Sequence, residues 1–170
     1  TEQAAITIRT ERGLLHARDA GNGDIEVNMG LPLLHWTEIP LAEDVDTLHL
    51  PIDGAPVATG MGNPHCTFFV DDVTLIDLES FGPRFEHHPL FPERTNVQIA
   101  QIIAPNRIRM RVWERGVGVT LASGSSSCAV AVAASRRGLI DTGATLELDG
   151  GEIRIKILDS GVHMTGAWAH

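Results

Sequence analysis

The stretch Ser125 to Arg137, SSSCAVAVAASRR, constrains the fold more than any other part of the chain. It opens on serines, continues in alanine and valine, carries Arg136 and Arg137 in its last turn and stops at Gly138, which together predict a helix. Its side chains are small and apolar on nearly every side, so it has no solvent face and must be buried. The rest of the chain therefore has to wrap it. With 170 residues, 43% of them hydrophobic, there is enough material for one substantial core.

The wrapping material reads as short strands. Residues Ala5 to Arg18 alternate apolar and polar side chains on either side of Glu11-Arg12-Gly13, the pattern of a hairpin, and Asp24 to Met29 alternate again after the Gly21-Asn22-Gly23 break. Leu41 to Leu50 fit a short helix or an exposed connection, while Leu48 to Leu50 and Ala55 to Gly60 read as edges or strands between Pro51, Gly54 and Pro56. His65 to Val70 is a run of β-formers, hence a buried strand, and Leu75 to Phe81 has helical spacing with Gly82-Pro83 as its stop. Asn96 to Ile103 and Arg107 to Glu114 form a hairpin about Ala104-Pro105-Asn106, and Thr145 to Leu148, Glu152 to Leu158 and Val162 to Thr165 complete the set. The class is α+β, mostly antiparallel strands curled around a buried central helix. No short-period repeat or low-complexity tract interrupts it.

Thirteen basic against 22 acidic side chains make the surface acidic, which argues against nucleic acid or an anionic membrane as partner. No apolar run approaches the roughly 20 residues that span a bilayer and no signal peptide is recognisable, so a cytoplasmic location is expected, with Cys66 and Cys128 as thiols. A metal site is not expected: His87 and His88 are adjacent and suit a solvated helix end beside Glu86, and His65, Cys66 and Cys128 lack zinc-site spacing.

Four segments can carry chemistry. Gly60 to Cys66, GMGNPHC, sets Asn63 and His65 at the entry of a strand, where an amide can bind a carboxylate or ammonium and an imidazole can orient or exchange a proton; an Asn-Pro turn capped by a histidine accounts for it equally well. Phe91 to Val97 places Asn96 at another strand entry, where taken alone a structural role is the commoner one. Glu114-Arg115-Gly116-Val117-Gly118 offers a carboxylate and a guanidinium on a permissive backbone, although a surface ion pair beside a turn is the plainer reading. Leu121 to Cys128, LASGSSSC, starts the buried helix with unpaired N–H groups at the positive end of its dipole, an anion site. It is neither a P-loop, a dinucleotide fingerprint nor a GxSxG elbow.

In this order, GNPHC at Gly62 to Cys66, FPERTNV at Phe91 to Val97 and WERGVGVTLASGSSSCA at Trp113 to Ala129 resemble the signature blocks of the diaminopimelate epimerase family. The ITIRTERG hairpin, VNMG at Val27 to Gly30, VDDV at Val70 to Val73 and MTG at Met164 to Gly166 agree, so the resemblance covers nearly the whole chain. It implies a two-lobed enzyme that interconverts LL- and meso-diaminopimelate, an amino-acid substrate of lysine and peptidoglycan precursor synthesis, without pyridoxal phosphate, metal or any other cofactor. Two cysteines on opposite faces of the α-carbon exchange the proton. The resemblance assigns Asn63, Asn96, Glu114 and Arg115 to substrate binding, Gly124 and Ser125 to the α-carboxylate, and His65 and Glu114 to the neighbourhood of the reacting thiols.

Two departures accompany it. Ser123 stands where the family has its second-lobe catalytic cysteine, and a hydroxyl offers no counterpart of a thiol with pKa near about 8.5 that a helix N-terminus can ionise. Another base such as His65 is one expectation; an inactive protein is another. The partner cysteine's block is also absent, so residues 1–20 are expected to be the end of a truncated first lobe and 21–170 the second, a fragment inactive without its missing partner lobe. A homodimer is compatible with this reading. Related isomerases of the proline racemase, hydroxyproline epimerase or phenazine-pathway type, and a non-catalytic amino-acid-binding lobe, are the alternatives.

Overall fold

The computed structural model describes residues 5–10 and 13–167. The elements run β1 (Ala5–Thr10), β2 (Gly13–Gly21), β3 (Asp24–Asn28), β4 (Val57–Gly60), β5 (Pro64–Phe69), a single 3-10 turn (Val73–Leu75), α1 (Leu78–Glu86), β6 (Asn96–Ala104), β7 (Arg107–Glu114), β8 (Gly118–Thr120), α2 (Gly124–Arg136), β9 (Gly143–Leu148), β10 (Gly151–Leu158) and β11 (Gly161–Ala167). All strands belong to one eleven-stranded sheet in the order β1-β2-β3-β11-β10-β9-β7-β6-β5-β4, with β8 added beside β7. The fold is α+β. Most neighbours are antiparallel, but β5 with β6 and β7 with β9 are parallel pairs.

Helix α2 has every residue from Ser126 to Ala134 buried and packs against strands from both halves of the sheet order, among them β4, β5, β10 and β11. Alanine fits because neighbouring backbones come close on several sides. Around it lies one core containing Met110, Leu146 and Ile155, and a second core forms where α1 lies on β5 and β6, containing Phe68, Phe85 and Ile99. The hairpin of β1 and β2 continues the sheet through β3, so the anticipated boundary near Gly21 falls in the β2–β3 turn; residues Glu11 and Arg12 of the anticipated first turn lie outside the described residues.

Several expectations need correction. Of the two readings of Leu41 to Leu50 the connection holds and the helix does not, Leu48 to Leu50 form no strand, and Leu41 and Leu50 are buried, with Arg137 donating from Nε and Nη2 to the Leu48 carbonyl at 3.1 and 2.7 Å. Strand β8, formed when the Glu114 to Gly118 turn folds back on β7, is too short to alternate visibly. Helix α1 begins after Asp77 and runs through Gly82 and Pro83 to Glu86 instead of stopping at them. A proline inside a helix costs about 3 kcal/mol. Burying Leu78 and Phe85 returns roughly 1.5 to 3 kcal/mol each, and Phe81 and Phe85 add edge and tilted contacts to Phe68 at 4.8 and 4.5 Å between centroids. Packing therefore overrides the local signal. Glu86, at the end of that helix, is 4% exposed and far from solvated.

Gly82 serves close approach. A Cβ there would lie 2.3 Å from Cγ and Cδ2 of Trp113. Gly82→Ala should therefore forfeit its helix-propensity gain of about 1 kcal/mol and instead destabilise by roughly 1 to 3 kcal/mol through overpacking. Urea unfolding followed by tryptophan fluorescence measures it, and an unchanged or higher midpoint would show that α1 can move off Trp113.

Candidate active site

Strand direction gathers the sequence-flagged segments at one edge of the sheet. Because β5 and β6 are parallel, with His65 opposite Asn96, both begin at that edge. Because β7 is antiparallel to β6, with Trp113 opposite Val97, it ends there, delivering Glu114 and Arg115. The start of α2 reaches the same place through Ser126, whose Oγ accepts from Gln98 Nε2 at 3.0 Å.

Asn96 is a clamp. Its Nδ2 donates to the Pro64 carbonyl at 3.0 Å and its Oδ1 accepts from the Arg115 N–H at 2.9 Å, so one buried amide ties the Asn63-Pro64-His65 turn to the Glu114-Arg115 turn. One N–H of Asn96 remains for anything else. Arg115 donates from Nη1 to the Glu93 carbonyl at 3.1 Å, and Glu114 Oε1 accepts from the Thr120 hydroxyl at 3.0 Å. Gly62, Asn63, Glu93 and Arg115, with residues 37–40, line an open polar depression. His65 is fully buried: its Nε2 is 2.8 Å from Asn63 Oδ1 and its Nδ1 2.8 Å from Gln98 Nε2.

Ser123 is the N-cap of α2. Its extended backbone (φ −154°, ψ 119°) lets Oγ accept from the Ser126 N–H at 3.3 Å, while its carbonyl accepts from the Ser127 N–H at 3.0 Å and the Ser127 hydroxyl at 2.7 Å. The N–H groups of Gly124 and Ser125 are first-turn donors, for which a helix supplies no partner of its own. Gly124 sits against Met164: a Cβ would lie 2.9 Å from Sδ. Beside Ala122 opens an apolar groove lined by Ile25, Val27, Leu148, Ile153 and Met164. Among the described residues no group of three or more His, Cys, Asp and Glu could hold a metal ion, and no helix is long and apolar enough to cross a membrane.

Three contributors escaped the sequence reading. Gln98 and Thr67 face each other from adjacent buried strands; the available signal was a glutamine on the same strand face as Asn96, two residues on. Glu86 is the third. Its Oε1 accepts from the Gly116 N–H at 2.6 Å and its Oε2 from the Trp113 indole at 3.2 Å, with Arg94 and His87 at 3.6 and 3.3 Å. It therefore braces the turn that carries Glu114 and Arg115.

Burial alone would raise the Glu86 pKa, but the Gly116 N–H, the Trp113 indole, His87 and Arg94 outweigh it and hold the carboxyl below its ordinary value of 4.5. A carboxylate depressed on folding stabilises the native state above its unfolded pKa and loses that contribution as pH falls through the folded pKa. The stability difference between the native sequence and Glu86→Gln should thus persist from neutral pH to the ordinary carboxylate range and close below it. Chemical denaturation across that range checks it; a gap that widens in acid would refute the ionised brace.

Comparison with known proteins accords with this geometry. Residues 57–170 match the family model described as diaminopimelate epimerase. Curated diaminopimelate epimerases of Rhodospirillum centenum and Acidiphilium cryptum are 51% and 53% identical over 96% and 92% of the chain, which spans 58% of the length of each. Among solved structures, a Bacillus anthracis phenazine biosynthesis protein of the PhzF family (TM-score 0.61, 12% identity, 97% of this chain and 65% of that one) shares the fold. So does a probable proline racemase of Agrobacterium radiobacter K84 (TM-score 0.64, 14% identity, 97% and 58%). With two thirds of its length matched by the family model and about half of its residues identical to those of curated members, the chain belongs to the diaminopimelate epimerase family.

Proposed function

We propose that this chain forms the second lobe of a cofactor-independent diaminopimelate epimerase acting in the cytoplasm. In this reading residues 21–170 are strands curled around α2, residues 1–20 close a first lobe, and substrate lies between the two. The observation that carries it is the convergence, at one sheet edge, of Asn63, Glu114, Arg115 and the N-terminus of α2, clamped by Asn96. Arg115 and the Asn63 amide suit a carboxylate, Glu114 an ammonium, and the Gly124 and Ser125 N–H groups a second carboxylate whose charge grows as the α-proton leaves. A diamino diacid has this complement of groups at its two ends. Asn96 contributes by positioning and with its one remaining N–H.

The step this chain cannot perform as it stands is the one the resemblance assigns to a thiol at position 123. An α-proton is removed by a thiolate that the helix dipole and first-turn N–H groups stabilise. The Ser123 hydroxyl has no comparable anion, and its oxygen already accepts from the Ser126 N–H. That observation favours, as a second reading, a lobe that binds the amino acid without turning it over.

The test joins the chain to the first lobe of a curated relative and follows interconversion of LL- and meso-diaminopimelate, which needs a base on each face of the α-carbon. Background interconversion with Ser123 and restored interconversion with Ser123→Cys are expected. Interconversion with Ser123 in place would remove the requirement for a thiol, whereas binding without interconversion in Ser123→Cys would favour the non-catalytic lobe. Binding of proline in preference to diaminopimelate would move the chain to the racemase-type alternative.

A further inference from the structure

We propose that Gln98 is a positioning residue for this site: through a buried relay it fixes the tautomer of His65 and turns the Asn63 amide so that its N–H2 group faces the ligand. Thr67, His65, Gln98 and Ser126 are all fully buried, so water does not compete for their polar atoms. The Thr67 hydroxyl lies 3.0 Å from Gln98 Oε1 and donates to it in the orientation the amide takes here. Gln98 Nε2 then has two N–H groups and two partners, Ser126 Oγ at 3.0 Å and His65 Nδ1 at 2.8 Å. A neutral imidazole that accepts at Nδ1 carries its proton on Nε2. Nε2 in turn donates to Asn63 Oδ1 at 2.8 Å, and the Asn63 nitrogen is left pointing away from the relay.

Each link fixes the next, and the last determines what the site can read. An asparagine presenting N–H2 binds an acceptor such as a carboxylate; one presenting its oxygen would bind an ammonium. The relay also gives His65 a part distinct from that of a base. With Nδ1 accepting and Nε2 donating, the ring has no lone pair to offer the α-proton. The expectation that His65 could replace the absent thiol is therefore not met by this arrangement. A half-turn of the Gln98 amide would reverse the whole chain of donors, moving the proton to Nδ1 and presenting the Asn63 oxygen instead, so the proposal hinges on a measurable proton position.

Only the final link rests on the reading of Asn63 as ligand-facing, and the experiment separates the two. Long-range 1H–15N spectra of the 15N-labelled chain at neutral pH distinguish the ring nitrogens, because Nε2 couples to both ring C–H protons and Nδ1 mainly to one. The His65 signals are assigned by their loss in His65→Gln. We expect a protonated Nε2 and an unprotonated, downfield Nδ1. In Gln98→Glu, where the partner can only accept, the downfield Nδ1 signal should be lost as Nδ1 takes up a proton. A protonated Nδ1 in the native sequence overturns the relay without need of any variant, and so does an unchanged pattern in Gln98→Glu. If the tautomer is as expected but added meso-diaminopimelate leaves the Asn63 side-chain N–H2 resonances unmoved, the relay stands and the ligand-facing link falls.

Discussion

A helix buried on nearly all sides has to settle its polar groups without help from water, and the rest of this molecule follows from that demand on α2. Its side chains can be small and apolar along the middle, where strands from both halves of the sheet order close over it. Its first turn cannot, because four N–H groups there have no intrahelical partner. Ser123 satisfies one of them, and Ser126 carries the polarity inward to Gln98. The same requirement that makes the helix hard to bury makes its N-terminus the place where polar side chains collect.

The edge of the sheet at which that N-terminus sits is set by strand direction. Parallel pairing of β5 with β6 and antiparallel return of β7 bring two strand starts and one strand end together, and buried polar side chains hold them in register. Asn96 works across the two turns and Glu86 works from behind, holding Gly116 while Asn96 holds Arg115. Neither is an exposed ion pair of the kind that contributes little. Both stand in low-dielectric surroundings, where losing one partner leaves another buried group unsatisfied.

Much of this was legible in the amino-acid sequence, for reasons that can be named. The alanine- and valine-rich α2 with its serine cap and glycine stop is a local signal that nothing overrides, and the alternation in β7 and β9 reflects one face more deeply buried than the other, whereas β6 is buried on both faces over its first five residues. Asn63, Asn96, Glu114 and Arg115 were singled out as polar side chains at strand ends beside glycine or proline, and the resemblance rather than their spacing assigned them to substrate; the structure brings them together at one rim of the sheet. What failed depended on distant partners. The stop expected at Gly82-Pro83 was overruled by Trp113 and the phenylalanine cluster, and the burial of Glu86 beside the exposed His87 was hidden because the Gly116 N–H and the Trp113 indole that hold it lie some thirty residues away. Gln98 was invisible as chemistry because its role exists only once Thr67, His65 and Ser126 surround it.

The two cysteines supply a last consequence. Cys66 lies on β5 and Cys128 on α2, both fully buried, and burial pushes the Cys66 thiol well above its ordinary pKa. Such sulfurs are shielded from electrophiles in the native state, since alkylation needs an exposed thiolate. A cysteine placed at 123 would sit at a half-buried helix start instead, in the positive field of α2. The native architecture therefore doubles as a labelling background: any fast-reacting sulfur introduced at that edge can carry a fluorophore or a covalent inhibitor with the two native sulfurs silent.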